Sequence, residues 1–291
     1  MNQRTHLVDG VPLDMIPVQD RGFNYGDAVF TTLRSFEGGV LPFFEQHLDR
    51  LERDARRLAI EMPERSILKQ EIDQVLGSGA ASLIKVQLTR GSAGRGYRIP
   101  ENAKTLRVVS RHPLPDYPQK YWDEGVNLWP CLMPLSVQPS LSGIKHHNRL
   151  EQVLGRSEWT DPFYQEGLMQ DGLGRLTEGT MSNCMLIRAG KVFTPRLDQA
   201  GVAGVMRHQV IEALMSLRIP VEEARLYFED LGDADECFIT NSVIGVWPVL
   251  RAGDHVFQSK GPITQEIQRW LTRTTGVSWN GFDTQPSSGL P

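Results

Sequence analysis

Three prolines within six residues, in the stretch "HPLPDYPQKYW" at 112–122, set the strongest limit on how this chain can fold. Proline cannot donate to a helix or a strand ladder, and it pushes the preceding residue toward extended backbone. We therefore expect neither a helix nor a central strand to run through this stretch. Because 291 residues suffice for two modest domains, we predict a smaller domain over 1–114, a linker over 115–124 and a larger domain over 125–291.

Hydrophobic spacing on both sides of the prolines predicts a mixture of helices and strands. In residues 43–60, apolar side chains recur at steps of three and four, which is typical of one face of an amphipathic helix. Residues 82–91 alternate apolar and polar side chains, as a half-buried strand does. Further strands are predicted at 104–111, 167–179, 183–195 and 236–249, and further helices at 148–159, 204–219 and 262–276. The pattern indicates an α+β fold in two domains.

Charge and cysteine content exclude several classes of partner. The net charge is −4 and the basic residues are scattered, so we expect neither nucleic acid nor a membrane surface as a partner. Cys131, Cys184 and Cys237 lie far apart, which fits neither a disulfide framework nor a metal site and indicates a reducing compartment. The first residues are too polar for a signal peptide, and no apolar run could span a bilayer. We therefore expect a cytoplasmic protein without a bound metal.

Lys145 lies in "SGIKHHNRLEQVLGRSEW", residues 142–159, just before a predicted helix. Most lysines are surface residues, and this one taken alone would be interpreted as one. A cation at a helix amino terminus opposes the helix dipole, however, and this setting beside His146 and His147 would lower the lysine pKa. A neutral amine can attack a carbonyl, as a lysine that forms a Schiff base must. The two histidines could also bind a metal, but no second ligand cluster accompanies them.

Three further signals are weak when each is taken alone. Glu178 in "LTEGTMSN" follows an apolar strand, and by itself it would be interpreted as a solvated turn carboxylate. In "GVAGVMRH", the amides of Val205 and Met206 at a helix start could bind an anion, although many helices start after glycine. Arg50 in "HLDRL" lies on a charged helix face and by itself would be interpreted as solvated.

Together these segments resemble the fold-type IV enzymes that use pyridoxal 5′-phosphate, the class IV aminotransferase family. The resemblance extends over nearly the whole chain, through "DRGFNYGDAVFTTLR", "GIKHHNRLEQVL", "TEGTMSN" and "TPRLDQAGVAGVMR". The segments "TRGSAGRGY" and "GIKHHNRLEQVLGRSEW" are more similar to the lyase branch of the family than to its aminotransferases. His147 departs from this pattern, because the lyases usually have leucine at that position.

The resemblance implies a role toward pyridoxal phosphate for each candidate residue. Lys145 would hold the cofactor as a Schiff base and then carry protons. Glu178 would accept from the pyridine nitrogen and keep it protonated, while Asn183 would support the same region. The other candidates are the phosphate ligands Arg50, Val205, Met206 and Ser242, and the catalytic candidate Tyr97, which could equally be a packed loop aromatic.

The resemblance also implies an activity. In the lyase branch, 4-amino-4-deoxychorismate is converted to 4-aminobenzoate and pyruvate, a step of folate biosynthesis. An aminotransferase acting on D-amino or branched-chain amino acids would use the same lysine and glutamate but would need an oxo-acid acceptor. A non-catalytic binding module is a third alternative, against which the retained cofactor residues argue. Since the family usually forms homodimers, we also expect a homodimer.

Overall fold

The chain divides into two compact units. The computed structural model describes residues 5–77, 79–257 and 260–279. One unit comprises Met1–Pro115 and Ile144–Arg149, and the other comprises Asp116–Gly143 and Leu150–Pro291. Each unit contains helices and a β-sheet, as the sequence predicted. Among the described residues, no helix is long and apolar enough to cross a membrane.

The first unit is built on an antiparallel sheet. Its strands are β1 (His6–Val8), β2 (Ala28–Ser35), β3 (Ser82–Thr89) and β4 (Leu106–His112), and its helices are α1 (Arg21–Tyr25), α2 (Phe44–Arg57) and α3 (Arg65–Leu76), with a 3-10 helix at Glu37–Gly39. In the described part of the chain the strands lie in the order β1-β4-β3-β2. This order makes β2 an outer strand, so one of its edges is open to another backbone segment.

Helix α2 packs one face against β2, and that face confirms the predicted amphipathic helix. Leu48 and Leu51 are each only 1% exposed, and burial of a leucine contributes roughly 1.5–3 kcal/mol. The same helix also buries three polar side chains, His47, Arg50 and Asp54. Buried polar groups are costly unless they are hydrogen-bonded, so these three residues require partners that the apolar pattern does not indicate.

The residues around Lys145 group with the first unit, which corrects the predicted boundary that placed this lysine in the larger domain. The backbone N–H of Phe30 donates to the carbonyl of Lys145 at 3.0 Å, and the N–H of His147 donates to that of Ala28 at 3.0 Å. The segment Ile144–Arg149 therefore pairs with the open edge of β2. This pairing satisfies backbone groups that a bare sheet edge would leave unpaired.

The second unit is built on a larger sheet that mixes parallel and antiparallel pairs. Its strands are β5 (Val126–Pro130), β6 (Glu166–Gln170), β7 (Leu176–Gly179), β8 (Asn183–Arg188), β9 (Lys191–Pro195), β10 (Val221–Ala224), β11 (Glu236–Asn241), β12 (Gly245–Ala252) and β13 (His255–Val256). Its helices are α4 (Lys120–Asp123), α5 (Leu150–Arg156), α6 (Val205–Ser216) and α7 (Pro262–Thr275), with a 3-10 helix at Phe228–Asp233. Within the described residues the order is β10-β9-β8-β11-β12-β5-β6-β7, and β13 pairs with β12.

The predicted linker over 115–124 is largely part of the second unit rather than a free connection. Trp122 of α4 is 7% exposed, and its indole N–H donates to the carbonyl of Ile244 at 2.7 Å. Tyr117 and Tyr121 both pack edge-on against Trp247, with ring centroids 4.8 and 5.2 Å away. The prolines keep the first residues of the stretch irregular, but its aromatic side chains bury large apolar areas in the core.

Candidate active site

Lys145 is anchored through its backbone on two sides. Its N–H donates to Oδ2 of Asp54 on α2 at 3.0 Å, and its carbonyl accepts from Phe30 on β2. Its Nζ lies 4.6 Å from the centroid of the Phe30 ring, a cation–π distance. These contacts fix where the lysine enters the site, although nothing in the local sequence indicated Asp54 or Phe30 as its neighbours.

The glycine at the end of α1 makes room for the lysine segment. Asp20 begins the helix by accepting from the Phe23 N–H at 2.9 Å, and Gly26 ends it with a φ of 67°. A Cβ on Gly26 would lie 2.0 Å from Oδ1 of Asn148, which is a severe clash. Only glycine therefore fits here, both for its backbone conformation and for the approach of Asn148. The "DRGFNYGD" motif thus packs closely against the segment that carries Lys145.

Lys85 is a second amine beside the same ring, and no local sequence pattern indicated it as a site residue. Its Nζ lies 4.9 Å from the centroid of Phe30, and burial lowers its pKa. On the paired strands Lys85 lies opposite Thr32, two residues along β2 from Phe30 and therefore on the same face. The alternation of apolar and polar residues in β3 could have indicated which face of the sheet Lys85 lies on, but not that Lys85 would lie beside Phe30.

The two histidines after Lys145 are uncharged near neutral pH. Burial, and then the charge of Arg149, lowers the pKa of His146 to about 3. Burial and Lys85 lower the pKa of His147 to about 4. The His147 ring lies edge-on to Phe30, with centroids 5.5 Å apart. The residue that departs from the lyase pattern is therefore a neutral side chain packed beside Phe30.

Arg50 has the properties of an anion-binding residue. It is 6% exposed on α2, and its Nη2 donates to Oγ1 of Thr31 at 2.6 Å. Its Nε is buried and, among the described residues, has no hydrogen-bond partner. Burial lowers the pKa of Arg50 to about 10, so the guanidinium is still charged at neutral pH. A buried charged donor of this kind fits a phosphate oxygen as its acceptor.

In the second unit, Glu178 and Asn183 both hold the backbone of Val202. Oε2 of Glu178 accepts from the N–H of Val202 at 2.7 Å, and Nδ2 of Asn183 donates to the carbonyl of Val202 at 2.9 Å. A Cβ on Gly204 would lie 2.2 Å from Oδ1 of Asn183, and Gly201 has a φ of 84°. The two glycines of "GVAG" therefore allow this close approach, in addition to leading into α6.

The first turn of α6 fits an anion. Gly204 precedes the helix and has no side chain that could accept from the amides of Val205 and Met206. These amides lie at the positive end of the dipole of a 12-residue helix. Ser242 lies in the turn after β11, next to Asn241, whose Nδ2 donates to the carbonyl of Met181 at 3.0 Å. That bond ties the turn of Ser242 to the turn that follows Glu178.

Tyr97 lies on an exposed loop of the first unit. Its side chain is 86% exposed, and its ring centroid lies 5.5 Å from that of Tyr25 in an edge-on arrangement. The loop is held by Arg21, whose Nη1 donates to the carbonyl of Gly96 at 2.9 Å. This contact fits the second role expected from the sequence, that of a loop aromatic that packs on a neighbouring ring. A catalytic role for Tyr97 stays a prediction.

The chain belongs to the amino-transferase class IV family, whose model matches residues 28–252. It is 36% identical over 243 residues to an aminodeoxychorismate lyase from Vibrio harveyi, over 83% of this chain and 89% of that protein. A 4-amino-4-deoxychorismate lyase structure from Pseudomonas aeruginosa matches with a TM-score of 0.87 and 40% identity, over 92% of this chain and 98% of that chain. A probable branched-chain-amino-acid aminotransferase from Thermotoga maritima is 31% identical over 249 residues, 82% of this chain and 83% of that protein.

Membership of this family confirms the expected fold and the expected cofactor, pyridoxal phosphate. The residues present fit that group. Arg50 and the α6 amides each suit a phosphate, because each offers N–H donors with positive charge behind them. An amine such as that of Lys145 and a buried carboxylate such as that of Glu178 are also the groups that an aldehyde and a pyridine nitrogen would require.

The amine that reacts with the cofactor aldehyde can be identified by borohydride reduction followed by peptide mapping. We expect the label on Lys145, because its backbone is held by Asp54 and Phe30. Lys85 is the competing amine, since burial lowers its pKa. Lys145→Ala should lose the reducible adduct and Lys85→Ala should keep it. A label on Lys85 in the unsubstituted protein would contradict the assignment.

Proposed function

We propose that this chain is a pyridoxal-phosphate-dependent lyase that converts 4-amino-4-deoxychorismate to 4-aminobenzoate and pyruvate, a step of folate biosynthesis. The observation that carries the proposal is its similarity to two lyases of that name, at 36% and 40% identity over most of the chain. The aminotransferase relative is less similar, at 31% identity. An aminotransferase acting on branched-chain or D-amino acids is the alternative, and it would use the same cofactor residues.

Each site residue has a proposed role that matches its chemistry. Lys145 forms the covalent bond to the cofactor, and Glu178 accepts from the pyridine nitrogen. Asn183 positions Val202, whose N–H also binds Glu178, as its bond to the Val202 carbonyl supports. The proposed phosphate ligands are the Arg50 guanidinium, the amides of Val205 and Met206 and the Ser242 hydroxyl. Tyr97 is proposed as a substrate-side residue on the glycine-rich loop.

The reaction requires a base, an acid and a place for an electron pair. Bound pyridoxal phosphate supplies an electron sink, which eases removal of the proton from the carbon that carries the substrate nitrogen. Lys145 Nζ would be the base that removes this proton. The carbon–oxygen bond to the enolpyruvyl group then breaks and the ring becomes aromatic. The protonated Nζ can return its proton to the enolpyruvyl carbon, which yields pyruvate.

Glu178 makes an electronic contribution that can be separated from binding. Glu178→Gln keeps an oxygen that can accept from Val202, so we expect the loop and the bound cofactor to be retained. Turnover should fall by orders of magnitude, because a neutral amide no longer favours the protonated pyridine nitrogen. The measurements are a cofactor titration by absorbance and kcat with 4-amino-4-deoxychorismate. Full activity of the variant would show that Glu178 does not serve the ring nitrogen.

Product stoichiometry distinguishes the lyase from the aminotransferase. All atoms of 4-amino-4-deoxychorismate appear in 4-aminobenzoate and pyruvate, so a lyase needs no second substrate. We expect equal amounts of the two products over many turnovers when this substrate alone is supplied. Both products can be measured by chromatography, with Lys145→Ala as the blank.

An aminotransferase would behave differently in the same assay. It would remove nitrogen from its donor and stop after one equivalent, until an oxo acid was added. A stall after one equivalent that 2-oxoglutarate relieves would therefore replace the lyase proposal and leave the fold and the cofactor unchanged.

We further propose that the protein is a cytoplasmic homodimer. Cys131, Cys184 and Cys237 are buried free thiols, which supports a reducing compartment. Helix α5 presents Leu150, Val153 and Leu154 at 75%, 60% and 51% exposure. These positions are three and four residues apart and form one apolar helix face. An exposed apolar face of this kind supports an interface with a second copy.

A charge on the α5 face should disrupt the dimer. We expect Val153→Glu to shift the protein toward monomer in sedimentation velocity, because a carboxylate would be buried without a partner in the interface. Val256→Glu is the matched control, since Val256 is 61% exposed on β13 and its substitution should leave the dimer intact. A dimer that is unaffected by Val153→Glu would exclude α5 from the interface.

A further inference from the structure

Two residues outside the proposed cofactor set form a buried chain of hydrogen bonds with Arg50. Thr31 Oγ1 lies 2.6 Å from Nη2 of Arg50 and 2.7 Å from Nδ1 of His47. Thr31 is fully buried on β2, and His47 and Arg50 are 2% and 6% exposed on adjacent turns of α2. The three side chains are therefore linked by hydrogen bonds in the order Arg50, Thr31, His47 in the interior of the first unit.

Donor chemistry sets the direction of the first of these hydrogen bonds. A guanidinium can only donate, so Thr31 Oγ1 accepts from Arg50. A hydroxyl oxygen has two lone pairs and one hydrogen, so the direction of its contact with His47 Nδ1 is set by the tautomer of the ring. Burial, then Arg50 and then Lys145, hold the pKa of His47 well below its ordinary value, so the imidazole is neutral in either tautomer.

We propose that Thr31 and His47 are positioning residues that hold the Arg50 guanidinium in place for the cofactor phosphate. This inference rests on the proposed phosphate role of Arg50. Thr31 holds one arm of the guanidinium and His47 holds Thr31, and neither neutral group cancels the charge of Arg50. Nε, which has no hydrogen-bond partner within the described residues, stays available to an anion.

The nearby carboxylate of Asp54 does not take over the role of Thr31 and His47 in orienting Arg50. Asp54 lies one turn further along α2, where it raises the pKa of Arg50 against the larger effect of burial. Its oxygens are already used, since Oδ1 accepts from Arg53 and Oδ2 accepts from the Lys145 N–H. Asp54 therefore anchors the lysine segment, while Thr31 and His47 orient the arginine.

The test compares two aldehydes that bind the same lysine. Pyridoxal phosphate and pyridoxal differ only in the phosphate, so the ratio of their affinities for the cofactor-free protein isolates the phosphate contacts. We expect Thr31→Val and His47→Leu each to weaken pyridoxal phosphate binding on the order of tenfold, the typical scale of one buried hydrogen bond to a charged group. Pyridoxal affinity should stay unchanged. Affinities are measured by absorbance titration, and the melting temperature checks that each variant is folded.

Conservative variants and a control make the test specific. Thr31→Ser keeps the hydroxyl and should restore most of the affinity ratio. His47→Asn offers an amide group near the position of Nδ1, which can accept from or donate to Thr31, and it should restore more of the ratio than His47→Leu. Arg56→Ala is the control, because Arg56 is a 78% exposed arginine on the same helix and should leave the ratio unchanged.

A double-mutant cycle decides whether the residues act through Arg50. In Arg50→Ala, the further change Thr31→Val should no longer alter the affinity ratio. The positioning role would be overturned if Thr31→Val weakened the binding of both aldehydes equally. It would also be overturned if the effects of Thr31→Val and Arg50→Ala on the affinity ratio were fully additive. If Arg50→Ala itself leaves the ratio unchanged, the phosphate role of Arg50 is wrong and this inference is overturned with it, whereas the lyase reaction is tested separately by its products.

Discussion

The rest of the candidate site in the first unit depends on the backbone pairing between β2 and the segment that carries Lys145. Phe30 N–H donates to Lys145, and His147 N–H donates to Ala28. Successive side chains of a strand point to opposite faces, so β2 presents Phe30 to the lysines and Thr31 to Arg50. One strand therefore sets the positions of the amine and the guanidinium. A one-residue slip of this strand would exchange the two faces and separate both contacts.

The sequence predicted the elements better than it predicted the partners. The apolar spacing of α2 identified the helix, because Leu48 and Leu51 follow its period. It did not show that Arg50 and Asp54 lie on the same buried face, since a charged residue in an amphipathic pattern is normally solvated. Arg50 entered the site only through the resemblance to a family. Its bond to Thr31 joins residues 19 apart in the chain, which local periodicity cannot show.

The domain boundaries were harder to predict for a related reason. Pro113, Pro115 and Pro118 indicated a break in regular structure, but they carried no information about where Tyr117 and Trp122 would pack. The grouping of Ile144–Arg149 with the first unit is a long-range strand pairing, and it crosses the boundary that a linear division of the chain assumes. Boundaries drawn from breaker residues describe the backbone, whereas the units of the fold follow from hydrogen bonding and burial.

The electrostatics of Arg50 connect its burial to its proposed ligand. Burial opposes the charged guanidinium and lowers its pKa to about 10. A hydroxyl partner satisfies one N–H but contributes no opposite charge, so much of the cost of desolvation is left uncompensated. A phosphate beside Nε would add that opposite charge and a charge-assisted hydrogen bond, and it would raise the pKa of Arg50 again. A carboxylate in the place of Thr31 would stabilise the arginine but would reduce its attraction for phosphate. A neutral partner therefore leaves the charge of Arg50 available to a phosphate.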